Sequence, residues 1–235
     1  MLEPFEVAVH GVEHVGAYVV VHLVADGLEA VAPGRFAMVR DPAGRAFLPR
    51  PVGLFQLDDG HLGVLVDPAL AVGELARAAR LRVLAPLGSG FDLDGARPET
   101  TLLVAGGIGI TVFPDVPRVL GGRPRLIAGF RTDEQAAATR LVAADATAVV
   151  APRLVTELLD LDGVELVLAA GPHGMVRAVA ERCAAAGVAC QVALEAPMAC
   201  GLGACYGCAV EIDGEPKRLC IEGPVVAATR FLACG

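Results

Sequence analysis

The chain has no tryptophan, and its aromatic share is only 4%, so its own absorbance is weak and any visible colour would come from a cofactor. No run of apolar residues is long enough to span a bilayer, and the opening MLEPFEVAVH has neither the basic stretch nor the apolar core of an export signal. Membrane insertion and export are therefore not expected, and a cytoplasmic location is. Clusters of Lys and Arg are also missing. With a formal net charge of -8 the chain offers no counter-charge to a phosphate backbone, which argues against nucleic acid as a partner. No Ser/His/Asp or Cys/His constellation for nucleophilic catalysis stands out.

What the chain has is apolar residues, 54% of 235, enough to fill one large or two small cores plus an appendage. It also has seven cysteines, an odd number that suits a reducing compartment better than a disulfide framework. Four of them fall between Met198 and Pro224. Cys200, Cys205 and Cys208 follow a CxxxxCxxC spacing and Cys220 comes after a short hairpin-like excursion, the plant-type pattern for a [2Fe-2S] cluster. Gly201, Gly203 and Gly207 suit a loop whose backbone must wrap a small anionic centre. The alternatives are a structural zinc site, which usually shows two short Cys pairs a dozen or more residues apart, or four unrelated buried thiols. Cys183 and Cys190 read as ordinary core thiols, and Cys234 has no evident role.

From Phe5 to about Leu87, short Val-rich runs alternate with Gly, Pro and Asp, the texture of an antiparallel barrel. His10, His14, His22 and His61 fall in or beside these strands without a spacing that would bring two together, and read as surface or satisfied polar residues. After GFDLDGARPET the pattern changes to buried strands (TLLVAGG, PRLIAGF, TAVVAP, VELVLAAG, VACQVAL) alternating with helices near 116–120, 134–143, 153–159 and 175–186. This predicts a doubly wound parallel sheet. In such a sheet ligands bind beyond the strand C-termini, where Gly106, Gly107 and Gly109 would let backbone approach a pyrophosphate and Gly171 a nucleotide. A lone GGxG is equally often a plain tight turn, and no acidic ribose reader is evident. The fold class is thus multidomain, β plus α/β: a barrel over 1–97, a nucleotide-binding domain over 98–194 and a cysteine domain over 195–235.

That order, with LEAPMACGLGACYGCAVEI, LCIEGPVV, PLGSGFDL, AGGIGI and AGPHGM, resembles the electron transfer subunits of type B dihydroorotate dehydrogenases, within the ferredoxin-reductase-like flavoproteins. Arg50-Pro51-Val52-Gly53 is similar to that family's Arg-Pro-x-Ser flavin motif, with Gly53 in the place of Ser. The resemblance implies that Arg50 pairs with FAD phosphate while the Pro51, Val52 and Gly53 backbone holds the flavin. The second flavin motif, Gly-x-Gly-Thr, has no clear counterpart in VDPALAVGEL, and Val112 stands where the family usually has Pro. The resemblance further implies cluster ligation by Cys200, Cys205, Cys208 and Cys220, NAD as acceptor, and a partner subunit that oxidises dihydroorotate on FMN in a hetero-oligomer such as a heterotetramer. Electrons would pass from that FMN through [2Fe-2S] and FAD to NAD, in pyrimidine biosynthesis. Two other readings stay open: a reductase-like subunit of another NAD(P)-linked complex, and a non-catalytic module whose cysteines hold metal for assembly. Met198, Ala199, Leu202, Ala204 and Tyr206 give the cysteine loop an apolar surface that either meets a partner or packs back on its own domain.

Overall fold

The computed structural model describes residues 3–24, 31–43, 47–57 and 60–233. β-Branched runs on a half-buried surface form strands, here β1 (Phe5–Val15), β2 (Tyr18–Val24), β3 (Phe36–Arg40), β4 (Arg50–Gly53), β5 (Phe55–Gln56), β6 (Leu62–Val66) and β7 (Arg80–Leu87). They make one antiparallel sheet in the order β4-β3-β7-β1-β2-β6-β5. Its two edge strands are consecutive in the chain, with only Leu54 between them, so the sheet closes on itself as the expected barrel. Val21, Val39, Val66, Leu81 and Val83 fill the interior.

One expectation for this region needs correction. The rings of His10 and His61 lie 4.4 Å apart, although nothing in their spacing brings them together. His10 sits where the β1–β2 register shifts between Val9 and Gly11, and such a bulge re-aims side chains in a way that periodicity cannot foresee.

The second region contains β8 (Thr101–Gly106), β9 (Arg125–Phe130), β10 (Asp145–Val150), β11 (Leu166–Ala170) and β12 (Ala189–Ala193), all parallel, in the order β10-β9-β8-β11-β12. Every residue of β8 is buried because both faces of that central strand are covered. β10 is an edge strand with residues 145–148 exposed, not the buried strand its apolar letters suggest. The helices are α1 (Val116–Leu120), α2 (Asp133–Ala136) and α3 (His173–Ala186). The expected helix over 134–143 tightens after Ala136 into a 3-10 turn to Leu141, and that over 153–159 is a 3-10 turn, Val155–Leu158. From β8 the chain winds one way through β9 and β10, and from β11 the other way through β12. The crevice between the β8 and β11 C-termini is therefore the topological switch point.

The remaining segment forms the hairpin β13 (Ala209–Ile212) and β14 (Glu215–Arg218), then α4 (Leu219–Glu222), β15 (Val225–Ala227) and α5 (Ala228–Leu232). Asp213 and Gly214 both have positive φ, 56° and 72°, the conformation of a type I′ turn. β15 then joins the nucleotide-type sheet antiparallel to β12, so that sheet is mixed and not wholly parallel. Val225 and Val226 gain burial there, a pairing that three residues of apolar sequence cannot announce. The segment is no loose appendage. Cys208, Ile212, Cys220 and Phe231 share one core with Val179 and Val192 of the sheet layer and with Phe36 and Met38 of the barrel. No described helix is long and apolar enough to cross a membrane.

Candidate functional site

The cysteine loop is built to present sulfur. The Leu202 amide donates to Cys200 Sγ at 3.3 Å and the Gly207 amide to Cys205 Sγ at 3.4 Å, while Cys208 Sγ lies 3.3 Å from Cys220 Sγ. Burial pushes the Cys200 thiol up, but the amides of Leu202, Cys205 and Ala204 and the Cys205 thiol outweigh it and bring the group down to about 7. Burial and the bond shared with Cys208 push Cys220 up to about 11. The four sulfurs thus fall into two pairs, Cys200 with Cys205 and Cys208 with Cys220. Among the described residues no three ligating side chains converge on one metal-ion position. A binuclear centre, with two thiolates for each iron, asks for pairs and fits this donor set better than one tetrahedral zinc does.

The loop is held from both sides. Arg218 donates from Nη1 to the Gly203 carbonyl at 3.0 Å, pairs with Glu222 at 2.9 Å, and lies 5.1 Å from the centre of the Tyr206 ring. Gly201, at φ +68°, rests on the barrel, where a Cβ would come within 2.5 Å of Met38 Cγ. The outer side is apolar and uncovered: Leu202 is 52% exposed, Tyr206 58% and Ile221 49%. Met198, by contrast, turns inward to a cavity.

That cavity, of about 510 Å³, lies where barrel, sheet and cysteine segment meet. β4 supplies one wall, with Arg50, Pro51, Val52 and Gly53. The 3-10 turn after β8 supplies another through Gly109, Thr111 and Val112, and Met198 and Pro224 close a third. Arg50 Nε and Thr111 Oγ1 are buried without a hydrogen-bond partner among the described residues, so the walls carry polar groups that a ligand could satisfy. These residues fit a flavin in volume and chemistry. VDPALAVGEL contributes Asp67 and Leu70 to the rim. The Gly-Pro-Val after Cys220 has a structural task of its own: Pro224 lines the cavity and Val225 starts β15, with Ser89 Oγ donating to the Val225 carbonyl at 3.0 Å.

A second cavity, of about 810 Å³, opens over the switch point and shares Asp67, Leu70, Ile108 and Glu195 with the first. Gly106, Gly107 and Gly171 line it. Gly107, at φ +53°, faces open space, with Tyr18 Oη 3.9 Å from where a Cβ would be. The other glycines serve the chain itself. A Cβ on Gly171 would fall 2.8 Å from Gly106 Cα, and one on Gly109 2.7 Å from the Ala170 carbonyl, so these residues let two strand ends close together.

Arg131, Arg153, Tyr18 and Glu195 also face this space, and no motif in the sequence marks them. Arg131 and Arg153 lie just beyond the ends of β9 and β10, and the strand-end rule that points to the glycines could have found them. Burial and then Asp67 push the Tyr18 phenol up to about 12, keeping it a neutral donor. Glu195 is an exposed residue that lines both cavities, yet the protein packed around its carboxyl raises its pKa. Away from both cavities, Cys183 is buried on α3 and shares a hydrogen bond with Cys190 of β12, which lowers the first thiol and raises the second. Cys234 lies outside the described residues.

A closed barrel, a switch-point sheet and a cavity at their junction make up a ferredoxin-reductase-like fold. The solved structure of an NADH-dependent reduced ferredoxin-NADP oxidoreductase superposes with a TM-score of 0.78 at 19% identity, covering 98% of this chain and 91% of that one. A ferredoxin NADP+ reductase from Neisseria gonorrhoeae gives 0.61 at 13% identity, over 80% and 93%. The family model for the iron-sulfur cluster binding domain of dihydroorotate dehydrogenase B matches residues 195–232. Among curated proteins, the dihydroorotate dehydrogenase B (NAD(+)) electron transfer subunit of Geobacillus kaustophilus is 31% identical over 221 residues, 83% of this chain and 85% of that one. Its counterpart in Caldanaerobacter subterraneus is 29% identical, over 85% and 87%. The chain belongs to the family of dihydroorotate dehydrogenase B electron transfer subunits.

Proposed function

We propose that this protein is the electron transfer subunit of a dihydroorotate dehydrogenase, taking electrons from the FMN of a catalytic partner and delivering them through [2Fe-2S] and FAD to NAD in pyrimidine biosynthesis. One observation carries the reading: the cysteine segment, the Arg50–Gly53 strand and the switch-point loop wall a single cavity that runs into a second one, so sites for a cluster, a flavin and a nicotinamide are contiguous. When bound, the cluster moves single electrons, the flavin couples them in pairs and the nicotinamide accepts a hydride. The chain's own residues position and tune.

In this reading Cys200, Cys205, Cys208 and Cys220 hold the cluster, with the Leu202 and Gly207 amides aimed at sulfur to favour its negative charge. Arg50 binds flavin phosphate and the Pro51, Val52 and Gly53 backbone borders the flavin. Gly107 offers an open backbone approach to the dinucleotide, while Gly106, Gly109 and Gly171 keep its floor narrow. Arg131 and Arg153 offer cations to its phosphates. The units are 1–97, 98–194 and 195–235, the last tied into the second through β15. The exposed face of Leu202, Tyr206 and Ile221 is the surface for the catalytic subunit in a cytoplasmic hetero-oligomer.

Anaerobic co-purification with a dihydroorotate-oxidising chain tests this. The expected result is about two irons and two labile sulfides per chain, bound FAD, and dihydroorotate-dependent reduction of NAD. One zinc per chain without sulfide would overturn the cluster. A cluster and FAD present, but no coupling to dihydroorotate, would move the protein to another NAD(P)-linked complex.

A further inference from the structure

Two polar atoms on the walls of the first cavity have no partner among the described residues, Arg50 Nε and Thr111 Oγ1. The arginine has a role in the reading above. The threonine does not, and its surroundings are specific. It stands on the 3-10 turn Gly107–Val112, brought by the end of β8 against the barrel strand β4. There it faces Gly53. A Cβ built on Gly53 would lie 2.7 Å from Thr111 Cγ2 and 3.0 Å from Thr111 Oγ1, closer than side chains pack. A side chain at residue 53 therefore forces Thr111 to shift or turn away. The two positions, 58 apart in sequence, compete for one volume, and the hydroxyl in that volume comes from the sheet side and not from the barrel.

A buried hydroxyl without a partner is a cost to the free protein. It is tolerated at a cavity wall where a ligand supplies the missing bond. We propose that Thr111 is a flavin-contacting residue: its hydroxyl hydrogen-bonds a polar atom of the flavin, Gly53 is the space that admits it, and the pair acts as one unit. The proposal rests on the cavity being the flavin site.

The test uses the full chain with its cluster intact and reads FAD affinity by flavin fluorescence, together with the visible spectrum of the bound flavin. Thr111→Val keeps the shape and removes the hydroxyl. It should weaken FAD binding about 3- to 10-fold and shift the flavin band, with the melting temperature of the FAD-free protein unchanged or slightly higher. Gly53→Ser alone should weaken binding at least as much through its collision with Thr111. Adding Thr111→Ala to Gly53→Ser removes both close contacts and leaves a hydroxyl at the same place, so the double variant should recover to within about 3-fold of the parent, a coupling that independent sites would not show. Parent affinity and an unshifted spectrum in Thr111→Val, or a double variant no better than Gly53→Ser alone, would overturn the proposal while leaving the flavin site standing. A parent chain that takes up no FAD would overturn both.

Discussion

The cysteine loop and the cavity beside it are made in opposite ways. Four thiols come from 21 consecutive residues, 200 to 220, and most of the bonds that shape their loop are local: Leu202 to Cys200, Gly207 to Cys205, Arg218 to Glu222. The cavity takes its walls from segments as far apart in the chain as Gly34 and Pro224, and two of its polar atoms have no partner among the described residues. A locally encoded site should lose its ligand to one change and leave its neighbour intact. A composite site should respond to changes in any of the segments that meet there.

The sharpest test is Cys205→Ser. Cys205 is exposed, so the fold has little to lose, yet one of four terminal ligands disappears. Iron should fall well below half of the parent content while FAD affinity stays within about 2-fold. Parallel loss of both cofactors would show that loop and cavity are one cooperative site. Arg50→Ala is the reciprocal change. Removing a charge-assisted bond should weaken FAD binding by at least about 10-fold, with iron unchanged in elemental analysis.

A smaller effect is expected at the seam that holds the cavity together. Asp115 is buried, accepts a bond from the Gln56 amide of the barrel at 3.0 Å, and pairs with Arg118 at 3.2 Å. Asp115→Ala, which removes the acceptor for the Gln56 backbone amide, should cost about 1–2 kcal/mol in denaturant unfolding and weaken FAD binding without touching iron. Its pH dependence has a definite sign. Burial raises the Asp115 carboxyl above its usual range despite the Gln56 and Arg118 bonds, so the native state holds that proton more tightly than the unfolded chain does. Its contribution to stability is full below the ordinary carboxylate pKa and is lost as pH rises through the folded value, a slope the Ala variant should lack. The smallest effect on the chain itself belongs to Leu202→Asp. At an exposed position it should change stability by no more than about 0.5 kcal/mol and keep the cluster, while weakening assembly with the catalytic subunit on a sizing column. Normal assembly would remove this face from the interface.

The sequence by itself determined whatever depends on near neighbours. Barrel strands, buried sheet strands and the long helix α3 follow from periodicity, because a hydrophobic face must be covered whatever covers it. The cysteine spacing is chemistry written directly in the chain, since a short loop fixes how far apart its thiols can be. Tertiary structure decided the rest. It exposed β10 at a sheet edge, brought His10 to His61 across a bulge, and returned Val225–Ala227 to pair with β12. It also gave the glycines their tasks, some opening space for a ligand and others letting strand ends touch. Most plainly it set Thr111 against Gly53. In sequence Gly53 is only a departure from a motif and Thr111 carries no signal, and their joint meaning lies in a shared volume that exists only once the sheet is docked on the barrel.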